Sequence, residues 1–537
     1  MKVKTALISV SDKTGLAEFA GALAKNGVKI ISSGGTFKAL SDAGIKCVKV
    51  EDFTGFPEML ESRVKTLHPK IHAGILAKRN KEHLAQLEKN GFETIDLVVV
   101  NLYPFKETVS NPKVKLEDAV ENIDIGGPTL IRAAAKNSES VAVLVEPSQY
   151  ENVLKELKEN NFSLSEKTLK ELCVAAFEHT AFYDSIVSEF LRRKFGTEKF
   201  PARLSIGLEK VSTLRYGENP HQNAALYKMP LENSGIVNAK QLNGKELSFN
   251  NFFDADAAVK LAAEFKEPAA VIVKHANPCG AAAASTLSEA FRKALECDPE
   301  SAFGGIIALN RECDLATAMQ ITAFFNEVII APSFEEKALK ELEGKKNLRV
   351  LELKNTGEKA GTLELKRVEG GILVQESDSV GERAEGVVVA AAEGGRKKPA
   401  AAAVAATTQN EWKNVSNAKA SKGEVESLEF AWKVAKHVKS NAIVIAKNNA
   451  TIGLGVGQTS RIKSVELALK QAGKKAEGAV LASDGFFPFR DSIDLAAKAG
   501  IKAIVEPGGS VKDNEVVAAS KEKKIALYFT GERHFRH

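Results

Sequence analysis

Through residues 1–200, short apolar runs alternate with stretches in which apolar residues recur every three or four positions. Ala6-Leu-Ile-Ser-Val10 is a run of strand type, after which Leu16, Phe19 and Leu23 share one helical face. Val28-Lys-Ile-Ile31 predicts a second strand, and the segment around Phe37 to Leu40 a second helix. Asp96-Leu-Val-Val-Val100 and Val141-Ala-Val-Leu-Val145 have the continuous apolar character of strands covered on both faces of a parallel sheet. This strand–helix alternation predicts an open α/β sheet, and ligands of such sheets gather beyond the carboxyl ends of the strands.

Helical, charged sequence follows from Gln149 to about Lys194, and Gly196-Thr-Glu-Lys-Phe-Pro201 breaks it. The domain boundary is placed there, giving domains over residues 1–199 and 200–537. Strands and helices are mixed again in the second domain. It holds an internal echo: Ala270-Val-Ile-Val-Lys-His-Ala-Asn-Pro-Cys-Gly280 against Ala442-Ile-Val-Ile-Ala-Lys-Asn-Asn-Ala-Thr-Ile-Gly453. Each is an apolar strand entering a polar turn, the pattern of either two related subdomains or a coincidence of α/β sequence. Gly453-Leu-Gly-Val-Gly457 lacks the spacing of a dinucleotide fingerprint and reads as a flexible loop before a helix at Gln458-Thr-Ser-Arg-Ile-Lys463. The stretch from Glu385 to Asn410 is Ala-rich and poor in bulky apolar residues, as a loop or linker is.

A chain of 537 residues allows about three compact units at roughly 100–200 residues each. No stretch approaches the ~20 apolar residues of a membrane span. The N-terminal apolar run is too short for a signal peptide and reads as a first strand. Net charge is +5, with basic and acidic residues interleaved, a balance that suits small anionic substrates. Aromatic residues make up 7% and do not alternate with basic ones, which argues against nucleic-acid binding. The five cysteines (Cys47, Cys173, Cys279, Cys297, Cys313) form no C-x-x-C pair. Neither a zinc ribbon nor a redox dithiol is indicated, and a reducing cytoplasm fits.

Candidate chemistry is concentrated in a few strings. Lys274 and His275 end an apolar run, and Asn277, Pro278 and Gly280 supply turn chemistry after it. The pair is either an acid–base couple or a strand end with a solvated lysine and a hydrogen-bonded histidine. Ser32-Ser-Gly-Gly-Thr36, between strand and helix, is a phosphate cradle or a plain tight turn; it is not a Walker A loop. The hydroxyls of Ser9-Val-Ser-Asp-Lys-Thr-Gly15 are ligands or N-caps. Arg63-Val-Lys-Thr-Leu-His-Pro69 can clamp a phosphate or form a solvated basic loop. Asn101-Leu-Tyr-Pro-Phe105 leaves the carboxyl end of a strand. Asp124 stands between apolar neighbours before a Gly-Gly-Pro helix start, as a helix-terminus group or a base with a tuned pKa. Lys136 lies further along that helix, beyond Asp124's reach without tertiary help. Ser483-Asp-Gly-Phe-Phe-Pro-Phe-Arg-Asp491 reads as core rings or as a slot for a planar heterocycle flanked by carboxylates. The ending Gly531-Glu-Arg-His-Phe-Arg-His537 has the look of a frayed basic terminus.

Taken in order, these strings resemble the bifunctional family that joins AICAR transformylase to IMP cyclohydrolase in purine biosynthesis, and the likeness runs from Ser9 to His537. The resemblance implies a methylglyoxal-synthase-like open parallel sheet domain, to about residue 199. It further implies a transformylase domain of two cytidine-deaminase-like α/β subdomains, here without the zinc ligands of true deaminases. A cytoplasmic homodimer with transformylase sites at the subunit interface is implied as well.

By the same resemblance, Lys274 and His275 carry formyl transfer from 10-formyltetrahydrofolate to AICAR, with His275 as base and Lys274 steadying the oxyanion. Arg215, Tyr216 and Arg533 match nucleotide-binding positions. Gly304, Glu327, Asn441, Phe486, Asp491 and His537 match further substrate positions, and Arg461 and Phe535 face the folate. In the cyclohydrolase half, Asp124 helps deprotonate the FAICAR amide, Lys65 and Tyr103 stabilise developing charge, and Lys136 is proton donor or electrostatic aid. Ser9, Lys13, Ser33, Thr36, Arg63, Thr66, Asn101, Ile125 and Gly126 fit binding of the substrate phosphate and base. Neither step calls for a metal, a nicotinamide or ATP, and neither a membrane nor a nucleic acid is a partner. One departure stands out: the Ala-rich stretch replaces a segment richer in Pro, Thr and Glu. A catalytically silent purine-nucleotide sensor on the same folds is the alternative, and it has no need of Lys65, Asp124, Lys274 and His275 together.

Overall fold

Along Thr5–Ile8, Leu7 points into the core on one face of a sheet while Ala6 and Ile8 point into the core on the other. Both faces of this strand are therefore covered, as its unbroken apolar run requires. The computed structural model describes residues 1–60, 63–354, 362–378 and 412–537. The Ala-rich stretch from Glu385 to Asn410 lies outside the described residues. Two compact units divide the chain, the first Met1–Lys210 with Tyr227–Glu232, the second Val211–Leu226 with Asn233–His537.

The first unit is built on five strands, β1 (Thr5–Ile8), β2 (Lys29–Ser32), β3 (Val48–Lys49), β4 (Leu97–Val99) and β5 (Ala142–Leu144). Their order is β3-β2-β1-β4-β5 and all neighbours run parallel. Helices cover both faces. Among them are Leu16–Lys25, Gly34–Asp42, Gly126–Lys136 and the thirty-residue Glu166–Phe195, which ends on the left-handed Gly196. The loops after β1, β2 and β4 lie at one edge of the sheet, where Ser9, Ser33 and Asn101 sit.

Two ribbons, β6 (Glu209–Leu214) with β7 (Ala224–Lys228) and β14 (Leu363–Val368) with β15 (Gly371–Glu376), stand apart from the main sheets. The second unit's main sheet has twelve strands. Six come from its first half: β8 (Lys240–Asn243), β9 (Ala269–Lys274), β10 (Asn277–Ala283), β11 (Ile306–Leu309), β12 (Val328–Ala331) and β13 (Arg349–Glu352). The second half supplies β16 (Lys413–Asn414), β17 (Ile443–Lys447), β18 (Ala450–Gly455), β19 (Val480–Ser483), β20 (Ala503–Glu506) and β21 (Ala526–Phe529).

Outward from the centre, one half runs β10-β9-β11-β12-β13-β8 and the other β18-β17-β19-β20-β21-β16, joined where Ala282 pairs with Ala450. Strand directions match step for step, including an antiparallel hairpin, two parallel pairs and an antiparallel edge in each half. The same bulge recurs, at Cys279 in one hairpin and Ile452 in the other. The echo in the sequence is thus a duplication of structure. It pairs Lys274 with Lys447, one position away from the alignment drawn at Ala270 and Ala442, because the hairpin turns set the register.

Gly453 and Gly455 belong to β18 and not to a loop before a helix. A Cβ on Gly453 would collide with the Ala468 carbonyl, and one on Gly455 with that of Ser464, both on the helix Arg461–Ala472. Gly280 stands in the same relation to Ala294 in the first half. These glycines let helix backbone lie directly on the strand, so the glycine-rich pattern records close packing, a role glycine has inside strands.

Candidate active sites

In the first unit, residues converge at the carboxyl ends of β1, β2 and β4. The Ser9 and Ser33 hydroxyls are 3.2 Å apart, and Thr36 ties the Val10 backbone by accepting its N–H and donating to its carbonyl. Asn101 accepts the N–H groups of Ser11 and Asp12 at 2.6 and 2.9 Å and donates to the Asp12 carbonyl, shaping the loop that carries Lys13. Lys13 itself donates to the Ser11 carbonyl at 3.1 Å. Ser33 is the N-cap of Gly34–Asp42 and uses no side-chain cap; its carbonyl takes the Thr36 and Phe37 N–H groups, and the positive end of the helix dipole borders the pocket at Gly34. A pocket of about 410 Å³ opens beside Ser33 and Gly34, lined by Lys38, Lys49 and Lys65 and also by Asp42, Glu51 and Glu58.

Lys65 donates to the Tyr103 hydroxyl at 3.3 Å, leaving the phenol proton free to point elsewhere. The buried Thr66 hydroxyl lies against Gly126 at the start of the helix Gly126–Lys136, and Ile125, just before it, is exposed. Asp124 accepts the Gly127 N–H at 2.7 Å, and its own N–H is held by the Tyr183 hydroxyl at 2.8 Å. Burial pushes the Asp124 carboxyl above the ordinary aspartate range; the Gly127 and Tyr103 amides and the Lys65 charge pull the other way. Arg63 is exposed and ion-paired with Glu121. Lys136 is exposed at the far end of its eleven-residue helix, about 15 Å of helical rise from Gly126. Within one chain it stands apart from Lys65, Tyr103 and Asp124.

In the second unit the turn falls on His275 and Ala276, with φ of 54° and 57°, and Asn277 to Gly280 are already strand. Reading the turn at Asn277–Gly280 was wrong because Pro278 tolerates a strand position beside the Cys279 bulge. A two-residue loop with both φ positive is the hairpin geometry that normally takes Asn or Gly. The matching turn in the other half is Asn448–Asn449, with φ of 51° and 55°. Here the residues are His and Ala, at a cost of roughly 1–2 kcal/mol each. Strain of this kind clusters at functional sites.

Lys274 donates to the Phe303 carbonyl at 3.0 Å, and Asp254 accepts the N–H groups of His275 and Ala276 at 3.1 and 2.7 Å. Next along, Gly304 is left-handed and bonds the Phe325 carbonyl. Glu327 accepts from Asn251 at 2.8 Å and faces the buried Arg349 at 3.7 Å. Arg215 stacks over Tyr216 at 5.3 Å, and its charge helps to lower the pKa of Arg349, behind the larger effect of burial. Asp254, Asn251 and Arg349 were absent from the sequence reading. The signal available was an acid on a largely apolar helix face and an arginine opening an apolar strand.

The remaining positions gather in the other half. Arg461 is buried, pairing with the fully buried Asp484 and donating to Ser483 at 2.9 Å and Asn441 at 2.6 Å. Asp484 also accepts from Ser440 and from the Ala442 N–H. It therefore cannot flank an open slot, which corrects the reading of that string: Asp484 and Phe487 are interior, while Phe486 and Phe489 are exposed and Asp491 opens a helix. Phe535 and Arg461 both lie against Gly485. Arg533 stacks on Phe535 at 4.6 Å, and the Phe535 and His537 rings are 6.1 Å apart. The chain end is not frayed. His534 is buried against Asp378 at 2.7 Å, and Arg536 donates to the His437 carbonyl. Asn277 links the halves by accepting the Lys439 N–H at 2.9 Å.

Glu506, at the end of β20, is fully buried and accepts the Phe487 N–H at 2.6 Å, fixing the loop that presents Phe486. Burial raises its pKa from 4.5 to about 8. Between those values only the folded chain holds the proton, so stability falls as pH rises, by up to about 1.4 kcal/mol per pH unit, and this contribution is lost past the folded pKa. The Glu506→Gln protein keeps the acceptor without titrating. Thermal melts should show its advantage over the parent growing between about pH 5 and pH 8 and levelling off above; a constant difference would place the titration elsewhere.

Comparison with known proteins adds independent findings. Residues 15–129 match the MGS-like domain and residues 134–471 the AICARFT/IMPCHase bienzyme. The chain is 51% identical over 539 residues to the bifunctional purine biosynthesis protein PurH of Acetivibrio thermocellus, covering all of both chains. To the protein of the same name from Persephonella marina it is 51% identical, over 99% of this chain and all of the relative. The corresponding protein of Bacillus cereus is 48% identical over the same shares.

Proposed function

The chain belongs to the AICARFT/IMPCHase bienzyme family, and on that premise we propose that its two activities run on the two separate groups of residues described above. It is an AICAR formyltransferase and an IMP cyclohydrolase of purine biosynthesis. A silent nucleotide sensor finds no support in these likenesses. The observation that carries the division of labour is the strained His275–Ala276 turn, which exposes an imidazole beside Lys274.

For formyl transfer, the 5-amino group of AICAR attacks the formyl carbon of 10-formyltetrahydrofolate. His275 takes the proton that the amine must lose and delivers it to the departing folate nitrogen. Lys274 stabilises the tetrahedral oxyanion. Arg215 offers a guanidinium fork for the nucleotide phosphate, with Tyr216 beneath it. Asn441, Phe486 and Phe535 form the folate side, with the buried Arg461 fixing Asn441 from within, Arg533, His537 and Asp491 at its rim, and Gly304 and Glu327 on the nucleotide side.

For ring closure, the FAICAR carboxamide nitrogen attacks the formyl carbon and water leaves. Asp124, its basicity raised by burial, takes the amide proton. Lys65 and the Tyr103 phenol meet the developing oxyanion. Ser33 and the helix start at Gly34 seat the phosphate, with Thr36 fixing the Val10 backbone behind them and Lys13 and Arg63 at the rim, and Thr66, Asn101, Ile125 and Gly126 border the base. Lys136 enters this set by family likeness alone. We place the enzyme in the cytoplasm as a homodimer, a reading supported by its five free cysteines and by the exposed Phe303 and Phe325 beside Lys274.

The direct test is a coupled assay following IMP from AICAR and 10-formyltetrahydrofolate. The purified protein should form FAICAR and then IMP without added enzymes. A folded sample yielding FAICAR but never IMP would remove the first-unit site, and one that cyclises supplied FAICAR but cannot make it would remove the second.

A further inference from the structure

We propose that Asp254 is a positioning residue for formyl transfer, its carboxylate holding the left-handed His275–Ala276 turn so that the imidazole is presented to the amine. This rests on the reading of His275 as the base. Both turn N–H groups donate to the one carboxylate, at 3.1 and 2.7 Å, from a side chain on the helix Phe249–Ala263. Ala276 in particular has no side chain that favours this region, unlike Asn, whose short polar group bonds locally to the backbone.

The duplicated half provides an internal comparison. Its turn has the same geometry but uses Asn448 and Asn449, residues that adopt it readily. Ser248 and Ser421 cap the two equivalent helices, and at the same spacing along the chain Asp254 is matched by Ser427. Where asparagines stabilise the turn, the helix carries a short buried serine; where His and Ala must be held, it carries a carboxylate. The half-buried Asp254 also lies near Glu327, and burial, opposed by the two amides, raises its pKa. A group kept there against desolvation and a neighbouring acid is one whose hydrogen bonds are needed.

The experiment compares Asp254→Ala, Asp254→Ala combined with Ala276→Gly, and His275→Ala, measuring kcat and KM for formyl transfer and FAICAR cyclisation in the same preparations. Asp254→Ala should lower the transfer kcat about 10²-fold with little change in KM, as a misplaced catalytic group does. Cyclisation, carried by the first unit, controls for the quality of the preparation, and a thermal melt of the whole chain reports that the second unit is folded. Glycine adopts positive φ without a clamp, so adding Ala276→Gly should recover about tenfold, equivalent to about 1.4 kcal/mol. Should Asp254→Ala not fold, Asp254→Asn, which keeps one acceptor oxygen, serves with the same glycine partner. Normal transfer by the Asp254 variants, or no recovery on adding glycine, overturns the clamp. If His275→Ala itself retains transfer, the reading of His275 falls and the clamp's purpose with it; an inactive His275→Ala beside an active Asp254→Ala removes the clamp alone.

Discussion

The His275→Ala protein is expected to lose formyl transfer by about 10²–10⁴-fold while FAICAR cyclisation persists, the loss typical of removing a general base. The amine of AICAR is a weak nucleophile because its lone pair is delocalised into the imidazole carboxamide, so attack requires a proton acceptor in place. The second residue of the pair gives a different signature. Lys274→Ala should also lower kcat, but through the oxyanion, and an added primary amine has an empty ammonium position to fill. Steady-state transfer and cyclisation assays on the same preparation, with a thermal melt that covers the second unit, separate these outcomes from unfolding. Equal loss of both activities in a folded His275→Ala sample would contradict two independent sites.

Asp124→Asn is expected to reverse the pattern. Cyclisation should fall by about 10²–10⁴-fold, formyl transfer should continue, and FAICAR should accumulate in the coupled assay. The amide retains an oxygen to accept the Gly127 N–H, so the helix start is preserved while the base is gone. The pH dependence carries the sign. Burial raises the Asp124 pKa, so wild-type cyclisation should decline as pH falls through a value above the ordinary aspartate range. The residual rate of Asp124→Asn should lack that limb. An unchanged acid limb in the variant would assign it to another group.

Much of the first unit was legible in the sequence. The central strands β1 and β4 are near-continuous apolar runs, and such runs are covered on both faces in a parallel sheet. The loops that follow them carry Ser9, Ser33 and Asn101 to one edge for the same topological reason. Lys136 was different, since a helix carries its last residue away from the sheet edge where it began. In the second unit the echo was visible but its register was not. Hairpin register is set by where φ turns positive, and Asn277 and Pro278 drew the reading two residues too far along.

By itself, the order of residues determined the strand and helix alternation, the strings that mark the family, and the presence of Lys274 and His275 at a strand end. Those features are local: they depend on side-chain size, polarity and spacing within a few residues. Only the tertiary structure decided that Asp254 holds the His275 turn, that Asp484 and Arg461 form an interior pair, and that Gly453 and Gly455 lie beneath a helix. Each joins residues of different elements, and such contacts are selected by the packing of whole elements rather than by spacing within a few residues.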